Sequence, residues 1–263
     1  MVLNTADIIT ELGGMEKNDL IKILDLKSND TDYNNLFASK QSDYYDFDGT
    51  KQFLEKNRGK LTVLSLNAQS INAKFNEILS LLNFLHENKV AFDIICIQEA
   101  WLTNNSNYEL FHINNYNLFF QGCNPECSTR GGLLTYVCNE LSAQITLQCN
   151  TFKTWEGLFI EININDTNLT VGNIYRPPHT DHNRFFNEFF PVLTTVHSTS
   201  KNVILAGDFN IDLLKASSNN ISQQFYDTIV TKLLLIFHLI LKLVFMQAIQ
   251  TQTTKTGRSH NIT

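Results

Sequence analysis

The sequence predicts a mixed-sheet α/β layer fold, and three observations support this prediction. Apolar runs of strand length recur along the chain, amphipathic helical stretches lie near its start and its end, and the central runs follow one another at short intervals. Closely spaced strands usually pair antiparallel, whereas a strand, helix and strand in succession give a parallel pair. With 263 residues, 43% of them hydrophobic, the chain is long enough for one sizeable core.

The first folded segment is expected to be a β-α-β unit. The run LTVLSLN at residues 61–67 is rich in leucine and valine and predicts a strand. A helix follows, with Ser70 as its expected N-cap, because apolar residues recur with helical spacing over residues 71–85. FDIICIQ at residues 92–98 is almost continuously apolar and predicts a strand that is buried on both faces.

The middle of the chain predicts further strands joined by short turns. Four runs combine β-branched, leucine and aromatic residues, and they lie at 116–121, 131–137, 158–164 and 168–175. Asn165-Asp166-Thr167 has the composition of a turn between the last two. A helix is expected within residues 180–199, bent or ended by Pro191, and NVILAGD at 202–208 predicts another buried strand.

The two ends of the chain differ in composition from this central domain, which is predicted to occupy residues 60–228. Residues 1–59 are polar and are interpreted as a leader or linker, with a short helix near Ala6–Leu12. Residues 229–263 are interpreted as a divergent tail, hydrophobic and then polar. Its stretch 229–249 has nearly the ~20 apolar residues that cross a bilayer. Charged residues interrupt it, so a packed helix or an exposed tail is expected rather than a membrane anchor.

Charge and cysteine content narrow the class of protein. The net charge of −6, from 20 basic and 26 acidic residues, does not give the positive field of a dedicated DNA-binding module. Any nucleic-acid contact must therefore be local or assisted by a metal ion. The N-terminus does not have the basic-then-apolar pattern of a signal peptide. Because the five cysteines are an odd number without zinc-ligand spacing, we expect reduced thiols in a nuclear or cytoplasmic protein that is not secreted.

Polar side chains stand where four of the predicted strands end, and they are Asn67, Glu99, Tyr175, Asp208 and Asn210. Strand ends of this kind converge at one sheet edge, so two carboxylates, two carboxamides and a phenol are expected to meet there. Glu99 and Asp208 offer hard oxygen ligands for Mg²⁺, a metal that retains waters and binds substrate phosphate. The set therefore suits phosphodiester hydrolysis.

The other residues of the set can contact the substrate. Asn67 and Asn210 can hold a carboxylate or phosphate oxygen by hydrogen bonds, and the Tyr175 hydroxyl can approach the phosphate. Arg176 can add a charge-assisted phosphate contact. Each motif alone also has a structural interpretation, such as a turn at residues 207–210 or an aromatic packed on a proline turn at Tyr175. Their recurrence at four strand ends favours the functional interpretation.

Six segments carry a resemblance to a known family: LSLNAQSINAKFNEI, FDIICIQEAWL, RGGLLTYV, LFIEI, VGNIYRPP and VILAGDFNIDL. Together they resemble the endonuclease/exonuclease/phosphatase (DNase I-like) superfamily, and within it the apurinic-endonuclease-like domain of non-LTR retrotransposons of the Jockey or chicken-repeat type. The retrotransposon subtype depends on Trp101-Leu102 and on Arg176-Pro177-Pro178. The resemblance implies a four-layer α/β sandwich with two mixed β-sheets, incomplete at its C-terminus.

The resemblance also implies a role for each site residue. Glu99 resembles the metal-binding glutamate of the family, with Asn67 beside it, and the cofactor is then Mg²⁺ or Mn²⁺. Tyr175 resembles the tyrosine near the scissile phosphate. Asp208 resembles the aspartate that orients or deprotonates the nucleophilic water, and Asn210 resembles its neighbouring asparagine, which acts in the transition state.

The implied activity is nicking of a target DNA strand, without a small-molecule cofactor. Arg130, which precedes the Gly-Gly start of a strand, is a candidate DNA contact. The family's C-terminal Ser-Asp-His motif is not found, because His260 follows a serine rather than an aspartate. We expect weak or absent activity, since losing such a phosphate-facing group costs about 10²–10³ in rate. The alternatives are a non-catalytic transposon-derived remnant or binding protein and, within the fold, a phosphatase or phospholipid phosphodiesterase.

Overall fold

Two β-sheets carry the fold, and helices pack on them. The structure, a computed structural model, describes residues 45–164, 167–200, 202–212, 218–234 and 244–247. Nine strands lie within these ranges: β1 Thr62–Asn67, β2 Ile94–Gln98, β3 Tyr116–Gln121, β4 Leu133–Cys138, β5 Ser142–Cys149, β6 Glu156–Ile164, β7 Thr167–Tyr175, β8 Asn202–Asp208 and β9 Val244–Gln247. The α-helices of the same ranges are α1 Phe47–Lys56, α2 Ile71–Glu87, α3 His182–Thr199 and α4 Asn220–Leu234.

Both sheets are mixed, as the sequence predicts. The first sheet has the strand order β3-β4-β2-β1-β9, and the second has the order β5-β6-β7-β8. In the first sheet β1 runs parallel to β2 and to β9, whereas β4 runs antiparallel to β2 and to β3. In the second sheet β5, β6 and β7 form an antiparallel meander, and β8 joins β7 in parallel.

Alternating side chains along the central strands divide the core into three apolar clusters. In β1, Leu64 packs with α1 and α2 on one face of the first sheet, whereas Val63 packs against the second sheet. On the far side of the second sheet, Phe159 of β6 packs with aromatic side chains of α3 and α4. The order of helix, sheet, sheet and helix is a four-layer α/β sandwich, so the predicted fold class is confirmed.

The β-α-β start is confirmed, with one correction at the beginning of α2. That helix begins at Ile71, as its apolar spacing predicts. Ser70 occupies the N-cap position, but its φ is 97° and its side chain makes no capping hydrogen bond. Carbonyls that follow β2 accept the main-chain N–H groups instead, Glu99 from Ser70 at 2.9 Å and Ala100 from Ile71 at 3.1 Å. The start of α2 is therefore tied to the segment after β2.

Pro191 does not end α3, which continues to Thr199. Of the two outcomes expected for that proline, a bend or the end of the helix, the second is wrong. A proline inside a helix removes one main-chain hydrogen bond. Phe189 before it and Leu193 after it are both buried in the cluster on the second sheet. Because apolar burial anchors the helix on both sides of the proline, the helix survives the missing bond.

The elements β5, α1 and β9 have no counterpart among the predicted ones, and α4 begins before residue 229, where a packed helix was expected to start. β5 is a largely exposed edge strand in which Ala143, Ile145, Leu147 and Cys149 alternate with polar residues, a strand pattern that was not recognised in the sequence. α1 lies inside the segment interpreted as a leader, where the Asp46 side chain accepts the N–H of Gly49 at 2.7 Å and Leu54 is buried against the core. The predicted helix near Ala6–Leu12 and the turn residues 165–166 lie outside the described residues.

The predicted boundary at residue 228 falls inside α4, and β9 brings part of the predicted tail into the first sheet. Residues 235–243 and 248–263 lie outside the described part of the chain. Within the part that is described, no helix has both the length and the apolar character needed to span a membrane.

Candidate active site at the strand ends

Asn67 joins two carboxylates that come from different sheets. Its side-chain Nδ2 donates to Glu99 Oε1 and to Asp208 Oδ2, both at 2.8 Å. Asn67 ends β1 and Glu99 follows β2 in the first sheet, whereas Asp208 ends β8 in the second. The predicted convergence of polar strand ends is therefore present, and it lies where the two sheets meet.

Tyr175 lies beside this group because it pairs with Asp208 across β7 and β8. Its side chain is buried, and burial raises the pKa of the phenol above its ordinary value; the nearby charge of Glu99 raises it further. Tyr175 therefore stays protonated at neutral pH. A neutral phenol placed there can donate a hydrogen bond to an oxygen that carries negative charge.

A tight turn presents Asp208 and Asn210. The Asn210 main-chain N–H donates to Asp208 Oδ1 at 3.0 Å, and Asn210 Nδ2 donates to the carbonyl of Arg176 at 2.7 Å. Gly207 admits this turn with a φ of 144°, and a Cβ there would collide with the carbonyl of Ile174. The structural interpretation of this motif as a turn is thus correct, and the turn aims the carboxylate toward Asn67.

Arg176 is fully buried, which corrects its predicted role as a phosphate contact. Its guanidinium donates to the main-chain carbonyls of Phe209 at 3.1 Å, Asn210 at 3.3 Å and Thr180 at 2.6 Å. The same group lies 5.3 Å from the ring centroid of Phe185, within cation-π range. Because its guanidinium binds these carbonyls, Arg176 supports the turn after β8.

Arg130 is exposed, as a DNA contact requires, and it lies over the indole of Trp101 at 5.4 Å from the ring centroid. Trp101 is itself 38% exposed, and its Nε1 donates to Glu99 Oε2 at 3.4 Å. The two side chains therefore border the carboxylate group directly. Sequence analysis used Trp101 only as a family marker and did not assign it to the site.

The main chain around Glu99 is held in an unfavourable conformation. Glu99, Trp101 and Asn210 have φ values of 50°, 57° and 49°, a region that costs a residue other than glycine about 1–3 kcal/mol. The N–H of Trp101 donates to the carbonyl of Gly131 at 2.8 Å, and that of Ala100 to Gly132 at 3.0 Å. The segment that bears Glu99 is thus fixed by the loop before β4.

Glu156 is a buried carboxylate that sequence analysis missed. Its Oε1 accepts the N–H of Asn124 and its Oε2 accepts that of Gly132, both at 2.7 Å. Burial raises its pKa from 4.5 to about 7, against the opposing effect of these two hydrogen bonds. A Cβ at Gly131 would collide with the carboxylate. The sequence did contain a signal for Glu156. An acidic residue between Trp155 and an apolar strand is expected to be buried, and a buried carboxylate must find hydrogen-bond partners.

Next to the site, buried polar side chains also connect the two sheets. Gln98 Nε2 donates to Asn173 Oδ1 at 2.6 Å. Asn173 Nδ2 in turn donates to the carbonyls of Ile97 and Leu134 and to Thr135 Oγ1, at 3.2, 3.0 and 3.1 Å. Because Gln98 precedes Glu99 and Asn173 lies two residues before Tyr175, this network fixes the relative position of the two halves of the site.

Comparison with known proteins assigns the chain to a family. The model of the Endonuclease/Exonuclease/phosphatase family matches residues 64–262, which is most of the chain. This chain belongs to that family. The predicted membership is therefore confirmed, and the match runs past the predicted domain boundary at residue 228. A comparison with curated protein sequences finds no match.

Solved structures of the endonuclease/exonuclease/phosphatase fold resemble this chain at low identity. The AP endonuclease LMAP from Leishmania major is 15% identical, with 64% of this chain and 65% of that one covered and a TM-score of 0.49. The Xenopus laevis APE2 catalytic domain is 20% identical (64% and 67% covered, TM-score 0.44). The endonuclease domain of TRAS1, a telomere-specific non-LTR retrotransposon, is 15% identical (65% and 71% covered, TM-score 0.44). The chain spans about two thirds of the length of the first two, and the likeness concerns the fold.

The oxygen donors of this endonuclease/exonuclease/phosphatase domain fit a hard divalent cation. The carboxylates of Glu99 and Asp208 supply them, whereas the carboxamide oxygen of Asn67 faces away from both and accepts the N–H of Gln69 at 3.3 Å. No cluster of three or more His, Cys, Asp or Glu side chains suited to a metal lies among the described residues. Mg²⁺ is commonly held by one or two carboxylates and keeps several waters. The donor set therefore suits Mg²⁺ or Mn²⁺ better than zinc, which takes nitrogen and sulfur ligands.

Proposed function

We propose that this domain is a metal-dependent phosphodiesterase that nicks a target DNA strand, of the kind that non-LTR retrotransposons use. One observation carries the proposal: Asn67 holds Glu99 and Asp208 together at 2.8 Å from each. Two carboxylates from different sheets thus lie at one point, with the protonated hydroxyl of Tyr175 beside them. Such a group serves metal-assisted attack of water on a phosphodiester.

In this proposal Glu99 would hold Mg²⁺ or Mn²⁺, and Asn67 beside it would position the carboxylate through its hydrogen bond. A bound metal ion neutralises negative charge on the attacked phosphate. Asp208 accepts the proton of the attacking water, since each of its oxygens keeps a lone pair beyond its hydrogen bond to Asn67 or to the N–H of Asn210. As water adds to phosphorus, the bond to the leaving sugar oxygen breaks, and that oxygen takes a proton from solvent water. The Tyr175 hydroxyl donates to a phosphate oxygen.

A plasmid-nicking assay tests the proposal. Wild-type protein with Mg²⁺ should convert supercoiled plasmid to the open circular form, and chelation should stop the conversion. Glu99→Ala and Asp208→Ala should each lower the rate about 10²-fold or more, on the scale of losing one group that stabilises the transition state. Glu77→Ala is the matched control, because Glu77 is an exposed residue of α2 whose salt bridge is to Lys74.

Nicking that survives both Glu99→Ala and Asp208→Ala, or that ignores chelation, would refute the proposal. The nicking rate of the wild type in the same assay tests the prediction that activity is weak or absent. His260, on which that prediction depends, lies outside the described residues.

We propose a nuclear or cytoplasmic location for the same protein. All five cysteines are free thiols, and Cys127 and Cys138 are only partly buried. Unpaired thiols of this kind are typical of reducing compartments. A fluorescent fusion that enters the secretory pathway would refute this location.

A further inference from the structure

The stacked pair of Trp101 and Arg130 has no role in the chemistry proposed above. Four large hydrophobic side chains of the described residues are exposed, and Trp101 is the one whose ring contacts the carboxylate group. The guanidinium of Arg130 lies over its indole at 5.4 Å from the centroid. No ion pair within the described ranges involves Arg130, so its charge is available to a ligand.

The position of Trp101 is fixed from two sides. Its main chain adopts a φ of 57° and donates its N–H to Gly131, while its ring donates to Glu99. The adjoining Gly132 accepts the N–H of Ala100 and donates its own N–H to the buried Glu156. An indole that is exposed and yet held rigidly presents a preformed aromatic surface to solvent. Strained backbone that supports such a surface is typical of functional sites.

We propose that Trp101 and Arg130 form a nucleobase-stacking surface, on which a base next to the scissile phosphate stacks after it has turned out of the duplex, while Arg130 contacts the neighbouring backbone phosphate. This inference rests on the proposed function, and it specifies the substrate class as a nucleic acid. Every base has an aromatic face, so stacking on tryptophan binds a strand without selecting its sequence. An inositol ring has no such face and would gain only the charge of Arg130.

The charge of the whole chain supports local contacts of this type. With a net charge of −6, the protein does not attract a polyanion over a long range, so short-range contacts must supply the affinity. A cation already stacked on an aromatic ring loses little freedom when it binds phosphate. The surface therefore combines stacking and charge at the point where the strand enters the site.

Tryptophan fluorescence tests this inference directly. The chain has two tryptophans, and Trp155 is fully buried, so Trp101 is the one that a ligand can reach. Unlabelled DNA duplex, added in EDTA to prevent turnover, should quench the emission of the wild type and leave that of Trp101→Phe unchanged. Binding is measured separately as the anisotropy of a labelled duplex. In that assay Trp101→Ala should weaken binding about tenfold, while Trp101→Phe retains most of the affinity.

Further variants separate stacking from charge. Arg130→Gln should lower the slope of log affinity against log salt by about one, as expected for one lost phosphate contact. Phe47→Ala removes another exposed aromatic residue, on α1, and should leave DNA affinity unchanged. The emission of Trp155 reports folding in the Trp101 variants, because its ring is packed against Phe152 and Phe189.

The outcomes distinguish this inference from the proposed function. DNA binding without quenching, or unchanged affinity in Trp101→Ala, overturns the stacking surface and leaves the nicking proposal intact. Quenching by inositol trisphosphate equal to that by DNA also overturns it, because the contact would then be electrostatic. If the duplex does not bind at all, both the stacking surface and the nicking proposal fail.

Discussion

Hydrogen bonds to main-chain atoms join Arg176 to the turn after β8. Arg176 donates from its side chain to the carbonyls of Phe209 and Asn210, and its own N–H donates to the carbonyl of Asp208 at 2.8 Å. The Asn210 side chain returns a hydrogen bond to the carbonyl of Arg176. A residue predicted from the sequence to contact phosphate therefore supports the turn that carries Asp208.

Replacing Arg176 with methionine should destabilise the fold. Arg176→Met leaves the carbonyls of Thr180, Phe209 and Asn210 without their donor, and we expect the free energy of unfolding to fall by about 1–3 kcal/mol. Urea denaturation measures this loss. Lys153→Met is the control, because Lys153 forms an exposed pair with Glu126 and its loss should cost about 1 kcal/mol or less. If Arg176→Met kept its stability but lost DNA affinity, the result would support Arg176 as a phosphate contact.

A site residue could be predicted from the sequence where it stands at the end of an apolar run. Glu99, Tyr175 and Asp208 were found in this way, because strand ends are visible in the sequence. The direction of the neighbouring Arg176 side chain was not, since its partners at the turn lie more than thirty residues away. Glu156 was missed for the same reason: the N–H groups that it binds are 24 and 32 residues distant.

At the scale of elements, the loop between β3 and β4 gives the site its shape. Glu156 at the start of β6 binds the main chain of this loop at Asn124 and again at Gly132. Gly131 and Gly132 then fix the segment that carries Glu99 and Trp101. One buried carboxylate thus holds a long loop of the first sheet against a strand of the second, and the conformation of the segment that carries Glu99 depends on it.

Stability should depend on pH through Glu156. Burial raises the pKa of Glu156 from 4.5 to about 7, so between these values the folded protein keeps a proton that the unfolded chain has released. The contribution of this group is therefore fully present below pH 4.5 and is lost as pH rises through 7. Glu156→Gln should flatten the fall in unfolding free energy over this window.

Urea denaturation at pH values from 4.5 to 8 checks this prediction. Glu156→Gln should also lower stability by about 1–3 kcal/mol at pH 5, because its amide nitrogen faces a main-chain N–H. Glu126→Gln alters an exposed carboxylate on the same loop and should keep the wild-type pH dependence. Identical slopes for wild type and Glu156→Gln would show that Glu156 does not titrate in this range.

At the scale of the whole molecule, the interior between the two sheets is apolar apart from a small polar network. Asn173 of β7 reaches across to two carbonyls and one hydroxyl of the first sheet, and it accepts a hydrogen bond from Gln98. Both side chains are buried. Such a fully satisfied network sets the register between the sheets, which apolar contacts alone do not specify.

Removing the centre of this network should be costly. Asn173→Ala removes the acceptor at 2.6 Å from Gln98 and the amide donor to the carbonyls of Ile97 and Leu134, and we expect a loss of about 2–4 kcal/mol in unfolding free energy. Urea denaturation measures it. Asn163→Ala is the matched control, since Asn163 makes an exposed hydrogen bond to Asn168 and should change stability little. A more stable Asn173→Leu variant would show that the network is not needed for stability.

Sequence patterns predicted most strands but not how they divide between the sheets. Strands β3, β6, β7 and β8 were visible because their apolar residues are buried in one sheet or the other. The link between β4, which ends at Cys138, and β5, which begins at Ser142, is as short as a hairpin loop. The two strands nevertheless belong to different sheets. Packing across the whole core determines the sheet to which each strand belongs, and no local sequence pattern predicts it.

The short link from Cys138 to Ser142 divides the chain into two consecutive halves. Apart from β9, every strand of the first sheet precedes it and every strand of the second sheet follows it. Asn67 and Glu99 belong to the earlier half, and Tyr175 and Asp208 to the later one. Neither half can assemble the carboxylate group alone, so the group forms only when the two halves pack together. Any activity that depends on this group therefore requires completed folding.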